Sequence, residues 1–322
     1  GTGAWTSRDG GVTWNAQWHG VPEGLFNDVA LAPGDPSVLF IAADDGLYRR
    51  ELVDDRPCVA GEGTLCLLDE RVRVEVAWRA FDGSSGLGTA VPATHESGWF
   101  WFFDEDNPEL VVKVLDGTTV NGELWLFYGS LTNVEMTITA TDTLSGEVVA
   151  FYNPSRRFAS AGHTSPFGLF EPPAAVAAGR VAAAPFPPAA WSPPFTAPGR
   201  TAAPDTAACA APGGLCLHDR FRITVEWEDF FGNSGAGVPL SLTRDAGFFW
   251  FFEPGNLELV VKVLDAEPVN GHWWVFYGAL SNVAYRLRVE DTATGAVRTY
   301  ENPLHHFGSR GDAAAFPAGE EP

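Results

Sequence analysis

Twenty residues of this chain are lysine or arginine, and only two of them, Lys113 and Lys262, are lysines. Both stand in the middle of the same words, ELVVKVLD, at Glu109–Asp116 and Glu258–Asp265. A solvent-facing basic position in so arginine-rich a chain would drift to arginine. An amine flanked by valine and leucine on both sides must be paired if it is buried. Lysine differs from arginine in being compact and in releasing its proton when desolvated. Glu109 and Glu258 lie four residues earlier, on the same strand face by a period of two, and are the expected partners. Three chemistries are open to such an amine. It can form a plain salt bridge, reach out to solvent, or form an amide with an asparagine side chain, helped by an acid. Asn121 or Asn133, and Asn270 or Asn282, are the candidate acceptors.

Four cysteines form two close pairs, Cys58 with Cys66 and Cys209 with Cys216. A zinc knuckle spaces its cysteines by two to four residues, and these gaps are larger. Two local disulfides in an oxidising compartment are expected. Asp104, Asp106 and Asn107 are oxygen-rich in the manner of calcium ligands. Their counterparts Glu253, Gly255 and Asn256 lose ligands, which weakens that reading. Asp142 and Asp291 sit in D-T-x-x-G turns, where the carboxylate caps its own backbone. The histidines do not recur between copies: His95 faces Arg244, His163 faces Asp312 and His272 faces Glu123. A duplicated catalytic module would keep them, so no catalytic residues are assigned. Trp101, Trp125, Trp250 and Trp274 recur in pairs and could form a glycan platform. WFWFF, apolar on both faces, reads better as a central strand in a core.

The elements that carry these residues come in two copies. A constant shift of 149 positions (262 minus 113) aligns Trp78–Phe167 with Trp227–Phe316 without a gap, and such a fixed period marks a duplicated structural unit. Arg71–Trp78, Leu110–Leu115, Leu124–Tyr128, Val134–Thr141 and Glu147–Tyr152 read as strands, with turns every 8 to 12 positions. About seven strands per repeat predict an all-β architecture of tandem immunoglobulin-like antiparallel sandwiches. The divisions expected are 1–57, repeat one over 58–167, an Ala/Pro-rich linker over 168–208, repeat two over 209–316, and a tail over 317–322. A net charge of −21 argues against nucleic acid and anionic membrane as partners. There is no apolar run of membrane-spanning length.

Ser7-Arg8-Asp9-Gly10-Gly11-Val12-Thr13-Trp14 fits the pattern S-x-D-x-G-x-T-W. The segment resembles the Asp box of sialidase/BNR or Vps10-type β-propellers. The resemblance implies a structural hairpin in a blade, built on Ser7, Asp9, Gly11, Thr13 and Trp14, with no catalytic role. One blade cannot close a ring, so either more propeller upstream of Gly1 or packing of these strands on something else is expected. The two repeats resemble a tandem module of bacterial secreted and surface proteins. That implies an extracellular or cell-surface place and non-catalytic work in adhesion, spacing or assembly. A protein or glycan at the surface, or a further copy of the chain, is the expected partner. The alternative is a carbohydrate-active or carbohydrate-binding protein whose catalytic propeller lies mostly outside the chain. No cofactor is expected apart from the weak calcium candidate.

Overall fold

The computed structural model describes residues 5–6, 15–16, 26–33, 35–43, 46–51, 58–167, 209 and 213–319. The Asp-box positions from Ser7 to Trp14 and the linker over 168–208 lie outside the described residues. Among the described residues the architecture is all-β apart from two one-turn helices, Thr118–Asn121 and Glu267–Asn270, and the strands pair antiparallel. Strands β1 (Trp5–Thr6) and β2 (Asn15–Ala16) pair on either side of the Asp-box positions. Strands β3 (Phe26–Ala32), β4 (Asp35–Ala43) and β5 (Gly46–Glu51) form a three-stranded sheet. They cover the stretches Asn27–Leu31, Val38–Ala42 and Gly46–Arg50, which the sequence suggests as strands.

Repeat one contains ten strands: β6 (Thr64–Leu67), β7 (Val72–Arg79), β8 (Ser85–Leu87), β9 (Thr89–Pro92), β10 (Ser97–Trp101), β11 (Leu110–Gly117), β12 (Glu123–Ser130), β13 (Glu135–Asp142), β14 (Val148–Asn153) and β15 (Ser160–His163). Repeat two has ten in the same order: β16 (Leu215–Leu217), β17 (Phe221–Glu228), β18 (Ser234–Ala236), β19 (Val238–Ser241), β20 (Ala246–Trp250), β21 (Leu257–Ala266), β22 (His272–Ala279), β23 (Ala284–Asp291), β24 (Val297–Asn302) and β25 (Ser309–Pro317). In repeat one, β15-β12-β11-β10-β9 form one sheet, and β14-β13-β7-β6 with β8 form the other. Repeat two reproduces both sheets with the equivalent strands. Among the described residues, no sheet mixes strands of the two repeats.

The short strands β8 and β9, β18 and β19 account for the excess over seven. The aromatic strand also ends earlier than WFWFF suggests. It stops at Trp101, so that Phe102 turns into the core and Phe103 is exposed. A turn follows at once, in which the Asp106 N–H donates to Asp104 Oδ1 at 2.9 Å. At the far end, β25 runs to Pro317, one residue past the expected limit of repeat two.

Each sandwich closes over its own apolar interior. Val72, Val74 and Val76 of β7 meet Phe100, Leu110, Val112, Val114, Leu124 and Leu126 from the opposite sheet. Phe221, Ile223, Val225, Phe249, Leu259, Val261, Val263 and Val275 do the same in repeat two. Cys58–Cys66 and Cys209–Cys216 are disulfide-bonded, with Cα–Cα distances of 5.6 and 5.5 Å. Each bridge ties the start of its repeat to the edge strand β6 or β16.

The alternate residues of β10, β11 and β12 do not face water. Trp99, Val111, Leu115, Trp125, Phe127 and Leu131 form a third buried cluster with Phe248, Leu257, Val260 and Leu280 of the other repeat. This explains strands that are apolar on both faces. One face fills the sandwich, and the other is covered by the companion sandwich.

Candidate functional site

The joint between the repeats is built from equivalent residues meeting crosswise. Phe127 lies 6.1 Å from Phe307 and Phe276 lies 5.9 Å from Phe158, ring centre to ring centre. Phe276 and Phe307 are the counterparts of Phe127 and Phe158 under the shift of 149. Gly129 and its counterpart Gly278 meet backbone to backbone. A Cβ added at Gly129 would lie 3.1 Å from the Gly278 carbonyl carbon, and one at Gly278 would lie 3.0 Å from that of Gly129. Only residues without side chains let two strands approach so closely. Such an exchange of contacts is what an approximate two-fold axis produces, and it makes the interface isologous. Two contacts depart from it: Ser309 Oγ donates to Ser130 O at 2.8 Å whereas the equivalent Ser160 Oγ has no partner, and Asn256 Oδ1 accepts from Lys113 at 2.8 Å whereas the equivalent Asn107 Oδ1 has no partner.

The two lysines sit inside this joint. Lys113 is 2% exposed and Lys262 is 1% exposed. Both lie on the outward face of their strands, β11 and β21, where the apolar cluster would otherwise be continuous. Lys113 Nζ donates to Asn256 Oδ1 and to Leu257 O, both at 2.8 Å, and lies 3.9 Å from Glu258 Oε1. Lys262 Nζ donates to Pro108 O at 3.0 Å and lies 3.5 Å from Glu109 Oε1. Pro108 and Leu257 are equivalent positions, as are Glu109 and Glu258. Each ammonium also stands over an aromatic ring, Lys113 over Phe127 and Lys262 over Phe276, at 5.1 Å from the centroid.

The buried lysine–glutamate element is therefore present, but the partners are exchanged between repeats. Lys113 pairs with Glu258 and Lys262 with Glu109. The same-strand pairing expected from sequence fails on distance. At about 3.3 Å per residue, positions four apart on one strand are separated by roughly 13 Å. Lysine and glutamate side chains do not close that gap.

The acids are held in place. Glu258 Oε2 accepts the Phe251 N–H at 2.9 Å, and Glu109 Oε1 accepts Asn107 Nδ2 at 2.7 Å. Burial pushes the Glu258 carboxyl up to about 7, against the attraction of Lys113. Burial raises Glu109 in the same way, against Lys262. Burial also lowers both lysines, with Glu258 and Glu96 opposing the shift at Lys113 and Glu109 opposing it at Lys262. Glu96 itself is raised, first by burial, with Lys113 pulling the other way.

A pH dependence follows. Between pH 4.5 and about 7 the folded Glu258 carboxyl retains a proton that the unfolded chain, at its usual value of 4.5, has lost, and above about 7 it is the ionised partner of Lys113. Its contribution to stability is complete below 4.5 and is lost as pH rises through about 7. Glu109 acts in the same direction. Thermal unfolding should therefore show a higher midpoint at pH 5 than at pH 7 in the wild type, with the difference reduced in Glu258→Gln. A difference unchanged by that substitution would assign the effect to other groups.

Asn121 and Asn270 do not meet the lysines. Each accepts an indole N–H, from Trp125 and Trp274 respectively, at 2.9 Å. The Asn133 and Asn282 main-chain carbonyls accept the Arg156 and His305 amides. The side-chain amide that meets Lys113 is Asn256. The sequence signalled it only as the recurring Asn-x-Glu ahead of each lysine strand.

The remaining sequence candidates have structural surroundings. Arg71 grips Asp142 with Nε at 3.2 Å and Nη2 at 3.1 Å, and Arg220 grips Asp291 with both at 2.7 Å. Asp142 and Asp291 also cap the Leu144 and Ala293 amides of their turns. Asp104 caps its own turn, while Asn107 turns inward to Glu109, so the calcium candidates Asp104, Asp106 and Asn107 divide between two tasks. Among the described residues, no group of three or more His, Cys, Asp or Glu is arranged to hold a metal. Trp125 is buried in the joint, and Trp101, Trp250 and Trp274 are half-buried.

No family model, no curated protein and no solved structure matches the chain. What the fold and the site define is an all-β protein of two disulfide-bonded sandwiches, joined by a buried ionic lock. No helix among the described residues is long and apolar enough to cross a membrane.

Proposed function

We propose that this is a non-catalytic secreted or cell-surface protein in which the two sandwiches act as one stiff module for spacing, adhesion or assembly. The observation that carries this reading is the crosswise burial of Lys113 against Glu258 and of Lys262 against Glu109. Two domains on a loose tether have no use for a desolvated ion pair at their contact. A buried pair adds little net stability over an apolar joint, but it penalises every misaligned docking that leaves a charge alone. It therefore fixes one orientation, which suits a spacer or an assembly unit. The recurring chemistry is all spent on structure: carboxylates on arginines and turns, lysines in the joint, indoles half-covered or buried. Two disulfides are compatible with an oxidising, extracellular setting.

Small-angle scattering combined with retention on immobilised polysaccharides tests the reading. A single rigid particle with no retention supports it. Retention that is lost on replacing Trp101 or Trp274 would replace it with a glycan-binding function.

A further inference from the structure

The face that joins the repeats carries both halves of its own lock. On repeat one it presents Lys113 together with Asn107, the Pro108 carbonyl and Glu109. On repeat two it presents Lys262 together with Asn256, the Leu257 carbonyl and Glu258. What Lys113 receives from repeat two exists at the equivalent positions of repeat one, and the converse holds for Lys262. The apolar surroundings match as well. Val111 and Val260, Leu131 and Leu280, and Phe127 and Phe276 are counterparts, and Gly129 meets Gly278 where the two backbones touch. An isologous contact between sequence-equivalent patches is self-complementary by construction.

We propose that this face is a homotypic docking site whose occupant is the same face on a second copy of the chain. Repeats exchanged between copies then link chains through the same lysine–glutamate lock that otherwise closes within one chain. Within a chain the tether raises the effective concentration of the neighbouring repeat, so the closed form dominates in dilute solution. Crowding of chains, or separation of the repeats, favours exchange. The uncovered face could not stay open, because it would expose a contiguous apolar patch with a lysine at its centre. The inference deepens the assembly reading above, yet its test depends on the face alone and not on where the protein works.

Each repeat is built to fold by itself. Its two sheets, its apolar interior and its disulfide are all its own. Fragments 58–167 and 209–316, purified separately, should each run as dimers in sedimentation velocity at micromolar concentration. Mixing them should give heterodimers. Gly129→Glu in the first fragment places a charged side chain at the backbone contact without touching the sandwich interior. It should give a monomer with an unchanged near-ultraviolet spectrum. A folded fragment that stays monomeric, or a dimer indifferent to Gly129→Glu, would overturn the proposal.

If a fragment fails to fold, the full chain decides. Labelled and unlabelled chains unfolded together and refolded at high concentration should yield mixed dimers by native mass spectrometry. The yield should fall at least tenfold in Gly129→Glu. Monomers alone from the wild type would refute repeat exchange.

Discussion

Replacing Glu258 with alanine should destabilise the docked pair of repeats by about 3 to 5 kcal/mol, the range for removing one partner of a buried ion pair. The reason is what remains behind. Lys113, 2% exposed, keeps its two carbonyl acceptors but loses the carboxylate 3.9 Å away. The Phe251 N–H loses its acceptor at the same time. The double substitution Lys113→Met with Glu258→Gln removes both charges and leaves a side-chain oxygen for Phe251. It should recover most of the loss, since an apolar replacement of a buried pair is often neutral or better. Denaturant unfolding of the single and double variants measures this as a coupling between the two positions. A near-neutral Glu258→Ala would mean that the lysine finds water and that the lock is ornamental. Glu109→Ala, acting on Lys262, should behave alike, because the sites are reciprocal.

The second large effect separates two adjacent phenylalanines. Phe248 and Phe249 are both fully buried, yet they lie on opposite faces of β20. Phe248 packs into the joint and Phe249 into the interior of repeat two. Truncation to alanine should cost about 3 to 5 kcal/mol at either site, the range for a large aromatic. The losses should fall on different equilibria. Phe249→Ala should lower the unfolding midpoint of repeat two itself. Phe248→Ala should leave that sandwich folded and loosen the docking. Hydrogen exchange would locate each effect, at the β17 and β23 amides for Phe249→Ala and at the outward faces of β11 and β21 for Phe248→Ala. The same pattern of exchange in both variants would contradict a joint distinct from the two interiors.

Much of the sandwich was legible because its signals are local. The alternation in Arg71–Trp78, the D-T-x-x-G turns and the cysteine spacing each act within a few residues, and the structure uses them as strand, cap and disulfide. The repeat itself supplied the equivalence of the two sheets. The joint was only half legible. Lys113 and Lys262 stood out by type, and the apolar neighbours required burial, but their partners could not be read. In a duplicated sequence Glu109 and Glu258 are equivalent, so no pattern distinguishes pairing within a copy from pairing across copies. Distance along the strand was the discriminating fact, and it favours the crosswise choice. WFWFF was half legible for a related reason. Apolarity on both faces announces that both are covered, but not that the second cover is another domain. Asn256 was read beside the calcium candidates and not as a partner of Lys113, because asparagine ahead of a strand usually serves a turn.

The central claim is that the two repeats are locked together through their own faces and are not merely neighbours on a chain. A protease site placed within 168–208 and cut to completion tests it most directly. The account predicts that the cut fragments co-elute in size exclusion as one particle of the uncut size, and that they still do so after dilution to low micromolar concentration. Glu258→Ala should make them separate under the same conditions. Wild-type fragments that part on cleavage, each folded and each eluting alone, would contradict the account.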